Sequence, residues 1–244
     1  MIRLRSLLFS AWFFAVSFVM AAFGQILVVV APRSLVAYAR LWSRAILWAL
    51  PVCGIRVEIS GREHLPAGGP MIIASMHQSA FDTMIWFALV PKCRYVVKIE
   101  LTRIPLFGRL AILSEQIPVD RAGGGATLRG LLRSGGQALA NGCQVVIFPE
   151  GTRVATGKLA PLQPGVAALA RAANVMVVPV ATDSRICWRS GPLGRRPGVI
   201  HVAIQPPIEA GLRREALMER LQTALEQGHA TLSSPLGLVE NSVG

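Results

Sequence analysis

Gln144-Val145-Val146-Ile147-Phe148-Pro149-Glu150-Gly151-Thr152-Arg153 sets an apolar run directly against a proline, an acid, a glycine and an arginine. A short apolar run bounded by turn residues reads as a strand covered on both faces, as in a parallel sheet packed between helices. Residues 175–180 repeat the pattern. Outward from these two, β-prone runs at 56–60, 71–76, 95–99, 116–119 and 199–204 alternate with helical periodicities at 79–89, 127–140, 164–173 and 212–227. The alternation predicts an α/β layered domain with a mostly parallel central sheet flanked by helices. In the last helix Leu212, Ala216, Leu217, Leu221, Ala224 and Leu225 share a face, and Gly228 reads as its stop. Gly123–Gly125 reads as a flexible turn ahead of the helix at 127. Pro179 cannot donate to a ladder, so its strand is expected at an edge or a bulge.

The amino-terminal part differs. Residues 6–32 carry no charge, and that is longer than the roughly 20 apolar residues a helix needs to cross a bilayer core. It also exceeds the apolar core of a secretory signal, so an uncleaved hydrophobic membrane anchor is expected. A second apolar run at 45–55 is too short to cross; it is expected to dip into the interface or to form a hairpin with the first, with Arg40 and Arg44 held near lipid phosphates. The expected organisation is membrane-anchoring helices over 1–55, a folded domain over 56–230 and a mobile tail over 231–244.

Composition narrows the partners. The chain of 244 residues is 52% hydrophobic, which excludes a disordered basic protein, while a net charge of +12 calls for anionic partners. Nucleic acid is disfavoured, because much of the charge borders apolar segments and only 7% of residues are aromatic. Cys53, Cys93, Cys143 and Cys187 are widely spread, without metal spacing, and read as idle buried thiols. His64, His201 and His229 lack a paired motif and read as structural or exposed.

Two polar groups follow buried-looking strands. In Met76-His77-Gln78-Ser79-Ala80-Phe81-Asp82 the histidine sits on a strand-to-helix turn, where Asp82 can reach back to one ring nitrogen and leave the other free to take a proton. Ser79 reads as the helix cap. In the opening stretch Glu150 and Arg153 stand beside a core strand and need partners: an ion pair with each other, or an anionic ligand for the arginine fork with Gly151 admitting it to the backbone. Between them lie Lys98-Ile99-Glu100-Leu101-Thr102-Arg103-Ile104-Pro105-Leu106-Phe107-Gly108, with an apolar helical stretch, and Pro118-Val119-Asp120-Arg121.

Taken in order with Val178-Pro179-Val180, these motifs resemble the PlsC-like glycerolipid acyltransferases, the 1-acylglycerol-3-phosphate acyltransferase family, over residues 61–205. The family commonly has asparagine where Met76 stands and a bulky apolar residue where Ala80 stands. The resemblance implies transfer of a fatty acyl group from a thioester donor, acyl-carrier protein or acyl-CoA, to the 2-hydroxyl of lysophosphatidic acid. It implies His77 and Asp82 as the catalytic pair, and Arg153 and Arg121 on the acceptor's phosphate with Lys98 as a weaker contributor. Glu150 would orient Arg153 or a hydroxyl, Gly151 and Thr152 would stand in the binding turn, and Pro179 along the groove. It implies no metal and no cofactor, contact with membrane phospholipid, and a bacterial-type inner (cytoplasmic) membrane with the site on the cytoplasmic side. Another lysolipid acceptor, such as a lyso-ornithine lipid, and a non-catalytic lipid-binding protein are the alternative expectations.

Overall fold

The computed structural model describes residues 1–120, 123–155 and 160–233. Seven strands form one sheet: β1 (Ile55–Ser60), β2 (Met71–Ser75), β3 (Cys93–Lys98), β4 (Ile117–Val119), β5 (Gln144–Ile147), β6 (Val177–Thr182) and β7 (Gly198–Ile204). Their spatial order is β1-β7-β6-β2-β5-β3-β4, and every pair is parallel except β6 with β7. The helices are α1 (Ile2–Val30), α2 (Leu35–Trp48), α3 (Asp82–Leu89), α4 (Phe107–Leu113), α5 (Gly124–Ala140), α6 (Gly165–Ala173) and α7 (Arg214–Ser233).

β2 and β5 are buried at every position, as their unbroken apolar runs require. Alternation along each strand divides the core in two. Ile73, Val146 and Val178 face Met84, Ile85 and Trp86 of α3. Ile72, Val145 and Val177 face α5, α6 and α7 through Leu131, Leu169 and Leu221. The amino-terminal helices belong to the first layer, since Phe9, Ile46 and Leu50 lie in the same core as α3.

Several local expectations change. α7 runs through Gly228 to Ser233: a Cβ on Gly228 would come within 2.8 Å of the Ala181 Cβ, so the glycine lets the helix lie close on β6 and does not end it. Residues 234–244, most of the expected tail, lie outside the described residues. Pro179 is not on an edge strand, because β6 runs between β7 and β2. The strand tolerates it because the ladder to β7 begins only at Val180; beside Pro179 passes the 205–208 segment, where Gln205 N–H donates to the Pro179 carbonyl and Val177 exchanges bonds with Ile208. α5 starts at Gly124, so two of the three glycines expected in a loop are helical.

The hairpin partner of α1 is α2, starting at Leu35 after the Pro32–Ser34 turn; the run at 45–55 supplies its last turn and also packs on α1, where Trp12 donates to the Ala45 carbonyl and Cys53 to that of Arg5. Arg40 does not reach outward: its guanidinium donates to the carbonyls of Phe87, Val90 and Pro91, closing the carboxyl end of α3. Among the described residues α1 alone is long and apolar enough to cross a membrane. It is nonetheless pinned along its length. Ser6 and Ser10 both donate to the Pro192 carbonyl at 2.8 Å, Phe9 meets the edge of Trp188 at 5.2 Å, Tyr38 donates to the Met20 carbonyl, and Gln25 donates to that of Leu106.

Gly61 closes the β1 end of the sheet. Its φ is +69°, and a Cβ there would lie 2.0 Å from the Ile204 carbonyl oxygen, a backbone atom that cannot step aside. Gly61→Ala is therefore expected to cost about 3 kcal/mol, a fall in Tm of about 6–12 °C, whereas Gly68→Ala, with open space around it, leaves Tm unchanged in the same thermal melt.

Candidate active site

β2, β3, β4, β5 and β6 run parallel, so their carboxyl ends share one edge of the sheet. His77 follows β2, Lys98 closes β3, Glu150 follows β5, and Asp183 and Ser184 follow β6. Ligands of open α/β sheets bind outside such an edge.

His77 is held from four sides. Its backbone N–H donates to Glu150 Oε2 at 3.1 Å, and its carbonyl accepts from Val154 N–H at 2.8 Å, so the loops after β2 and β5 are tied together. Its ring stacks on Phe148 with centroids 4.1 Å apart and planes 15° from parallel. Nδ1 lies 3.3 Å from Asp82 Oδ2. The same oxygen accepts from the Gln78 and Ser79 amides, each at 2.7 Å. A carboxylate fixed by two amides assigns the proton of the imidazole to Nδ1 and leaves the Nε2 lone pair unshared; Nε2 has no partner among the described residues. His77 is 8% exposed and Asp82 1%, so the pair lies in low dielectric.

The helix begins at Asp82 instead of near Ser79, because the amides that would start it turn back to the Asp82 carboxylate. Ser79 does not cap it: its hydroxyl donates to Ser184 Oγ at 2.8 Å and accepts from Phe81 N–H, joining the loop after β2 to the one after β6. Tyr95 on β3 donates its hydroxyl to the Asp82 carbonyl. Met76 continues the core with no exposed surface, and its N–H donates to Val180.

Glu150 does not meet Arg153: it makes no ion pair with that residue among the described residues, but turns inward to the His77 amide. It is 5% exposed, and its second oxygen has no partner among the described residues. Burial raises its pKa from 4.5 to about 8, against the lowering effect of the His77 N–H. Burial thus favours the neutral acid at Glu150. The folded chain then holds a proton that the unfolded chain has released, so stability falls as pH rises from about 4.5 to about 8. Glu150→Gln, which keeps the shape and no titration, is expected to flatten Tm over that window in melts taken from pH 5 to pH 8.

Of the remaining turn, Gly151 adopts φ +69° and its N–H closes onto the Phe148 carbonyl, so that amide is spent within the turn. Thr152 and Arg153 are exposed, and their amides and the Arg153 guanidinium have no partner among the described residues. Lys98 is exposed at the end of β3. Arg121 lies outside the described residues. Pro179 is buried in register with Ala74, whose side-chain face is that of Ile72 and Val177; the alternation sets its ring on the α5–α7 layer, away from the layer of Phe148. The edge thus gathers His77, Asp82, Glu150, Gly151, Thr152, Arg153 and Lys98, and leaves Pro179 aside.

Two features had no sequence signal. The Phe148 ring under His77 needs two loops to meet. Asp183 pairs with His201, accepting at 2.7 Å from its backbone N–H and lying 2.7 Å from its Nδ1; this fastens β6 to β7 and makes His201 structural. The four cysteines are buried and unpaired.

The sequence model of the acyltransferase family matches residues 56–183. The chain is 35% identical over 170 residues to 1-acyl-sn-glycerol-3-phosphate acyltransferase of Pseudomonas aeruginosa, covering 69% of this chain and 66% of the relative. It is 31% identical over 166 residues to the mouse alpha enzyme of that name, covering 67% of this chain and 58% of the relative. The chain therefore spans less than two thirds of these relatives' own length, 66% of the one and 58% of the other. Among solved structures, the 1-acyl-sn-glycerophosphate (LPA) acyltransferase PlsC of Thermotoga maritima superposes with a TM-score of 0.77 at 21% identity, over 96% of this chain and 98% of that one.

Proposed function

This chain belongs to the acyltransferase family, and on that premise we propose that it moves a fatty acyl group from a thioester donor to the 2-hydroxyl of lysophosphatidic acid, giving phosphatidic acid. The observation that carries this reading is the His77 ring, clamped between Asp82 and Phe148 with Nε2 open at the sheet edge that also bears Arg153. His77 Nε2 takes the proton of the acceptor hydroxyl as the oxygen attacks the thioester carbonyl. The Asp82 carboxylate stabilises the imidazolium. The carbonyl electrons return, the carbon–sulfur bond breaks, and the thiolate leaves with the proton that His77 held. No acyl-enzyme forms.

The developing oxyanion requires donors that are not otherwise engaged, and the Thr152 and Arg153 amides meet that condition, while the Gly151 amide does not. Arg153, Lys98 and Arg121 supply cations for the acceptor's phosphate. The donor is acyl-carrier protein or acyl-CoA. Phe148 fixes the plane of the ring: Phe148→Ala is expected to lower kcat by about 10–100-fold, and Phe148→Tyr to restore it, in a steady-state assay of both variants.

Residues 1–55 anchor the protein and 56–230 carry the chemistry. α1 lies sideways in one leaflet. Its domain contacts run from Ser6 to Gln25, about 28 Å of helix, so a crossing of the roughly 30 Å core would carry the Pro192 loop and Leu106 into hydrocarbon with their non-helical backbone. Its outward side chains, among them Leu8, Phe14, Phe18 and Phe23, suit one leaflet of a bacterial-type inner membrane, with the site on the cytoplasmic side where thioester donors occur. An acceptor panel in vesicles tests the substrate: label from an acyl thioester is expected in phosphatidic acid with lysophosphatidic acid present, and label transferred only to a lyso-ornithine lipid would reassign the acceptor.

A further inference from the structure

α1 is not the only apolar surface. Between β3 and β4, Leu101, Ile104, Leu106, Phe107, Ile112 and Leu113 are all exposed within thirteen residues. Water-facing surfaces scatter such residues singly, and a contiguous set marks an interaction surface. The segment is folded: a turn at Ile99–Arg103 leads into α4, and Gly108 and Ala111 are buried beneath it.

We infer that this segment is a second membrane-inserting element, entering the same leaflet as α1. Three observations select lipid as its occupant. First, its surface is continuous with that of α1: Gln25 donates to the Leu106 carbonyl at 2.9 Å, Leu110 packs at Gly24, and the neighbouring α1 residues Phe23 and Ile26 are themselves exposed. Second, Arg103 and Arg109 are exposed among the apolar side chains, the composition of an element seated at the level of anionic lipid headgroups. Third, the segment leaves the sheet at Lys98, on the edge that carries His77 and Glu150. Lipid bound there brings the leaflet to the mouth of the site. On the reading proposed above, the lysolipid then slides from bilayer to site without passing through water, while insertion itself depends only on α1 lying in the membrane.

The test uses the full chain with a polarity-sensitive fluorophore on Phe107→Cys, the four native thiols being buried. On vesicles of phosphatidylcholine and phosphatidylglycerol, the label is expected to brighten and to be quenched by spin-labelled acyl chains. A label on Leu128→Cys, exposed on α5, stays unquenched. Absence of quenching at 107, with a label on Phe18→Cys quenched, would overturn the proposal. A concentration-dependent brightening without vesicles would assign the surface to a second copy and overturn it as well. In kinetics, the Ile104→Glu, Phe107→Glu double variant is expected to lose about an order of magnitude in kcat/KM on a long-chain acceptor embedded in vesicles, and nothing on a short-chain acceptor dissolved below its micelle concentration. Equal loss on both acceptors would contradict selective delivery from the leaflet. A chain that transfers no acyl group still yields the quenching result, so the two readings fail separately.

Discussion

His77→Ala is expected to lower the rate of acyl transfer by about 10³–10⁴-fold, with little change in the fold. The side chain removed is the only base with an open nitrogen at the carboxyl edge of the sheet among the described residues. The acceptor hydroxyl would then have to lose its proton to water. Stability changes far less, because Asp82 keeps both amide hydrogen bonds and Phe148 remains packed beside Tyr95. The measurements are the turnover of a labelled thioester and a circular-dichroism melt of the same preparation. A melt within a few degrees of the parent protein, with turnover near zero, assigns the loss to chemistry.

The second large effect belongs to Asp82, and it is of two kinds. In Asp82→Ala the Gln78 and Ser79 amides lose their acceptor in a site with almost no exposure, at about 1–3 kcal/mol each, and His77 loses the group that sets its tautomer. Lower Tm and lower turnover are expected together. Asp82→Asn separates them. Its oxygen can still accept both amides, and its nitrogen takes the place of Oδ1, which has no partner among the described residues. The fold is then expected to hold, while turnover falls about 10²–10⁴-fold for want of the negative charge behind the imidazole. Equal losses of Tm in both variants would mean that the carboxylate is needed for folding as much as for chemistry.

What could be read from the sequence follows from which interactions are local. The runs at β2 and β5 are unbroken because both faces of each strand are covered, so strand type and layer order were legible. His77 and Asp82 are close in the chain, and their pairing needs only one turn. The Glu150–His77 bond, the Phe148 stack and the Asp183–His201 pair each join residues distant in sequence, and appear only when β5 and β7 take their places beside β2 and β6. Glycine and proline misled for the same reason. Gly228 carries a helix past Ala181, and Pro179 sits in a central strand where the next strand has yet to begin pairing, both conditions set by tertiary neighbours. Arg40 looked like a lipid contact because its carbonyl partners lie at the far end of α3.

The central claim is that this edge of the sheet performs acyl transfer through His77. The most direct test incubates vesicles holding lysophosphatidic acid with a labelled acyl thioester and either the parent chain or His77→Ala, and follows label into extracted lipid. The account predicts labelled phosphatidic acid with the parent chain and almost none with the variant. No labelled lipid with the parent chain, or equal labelling by both, would contradict it.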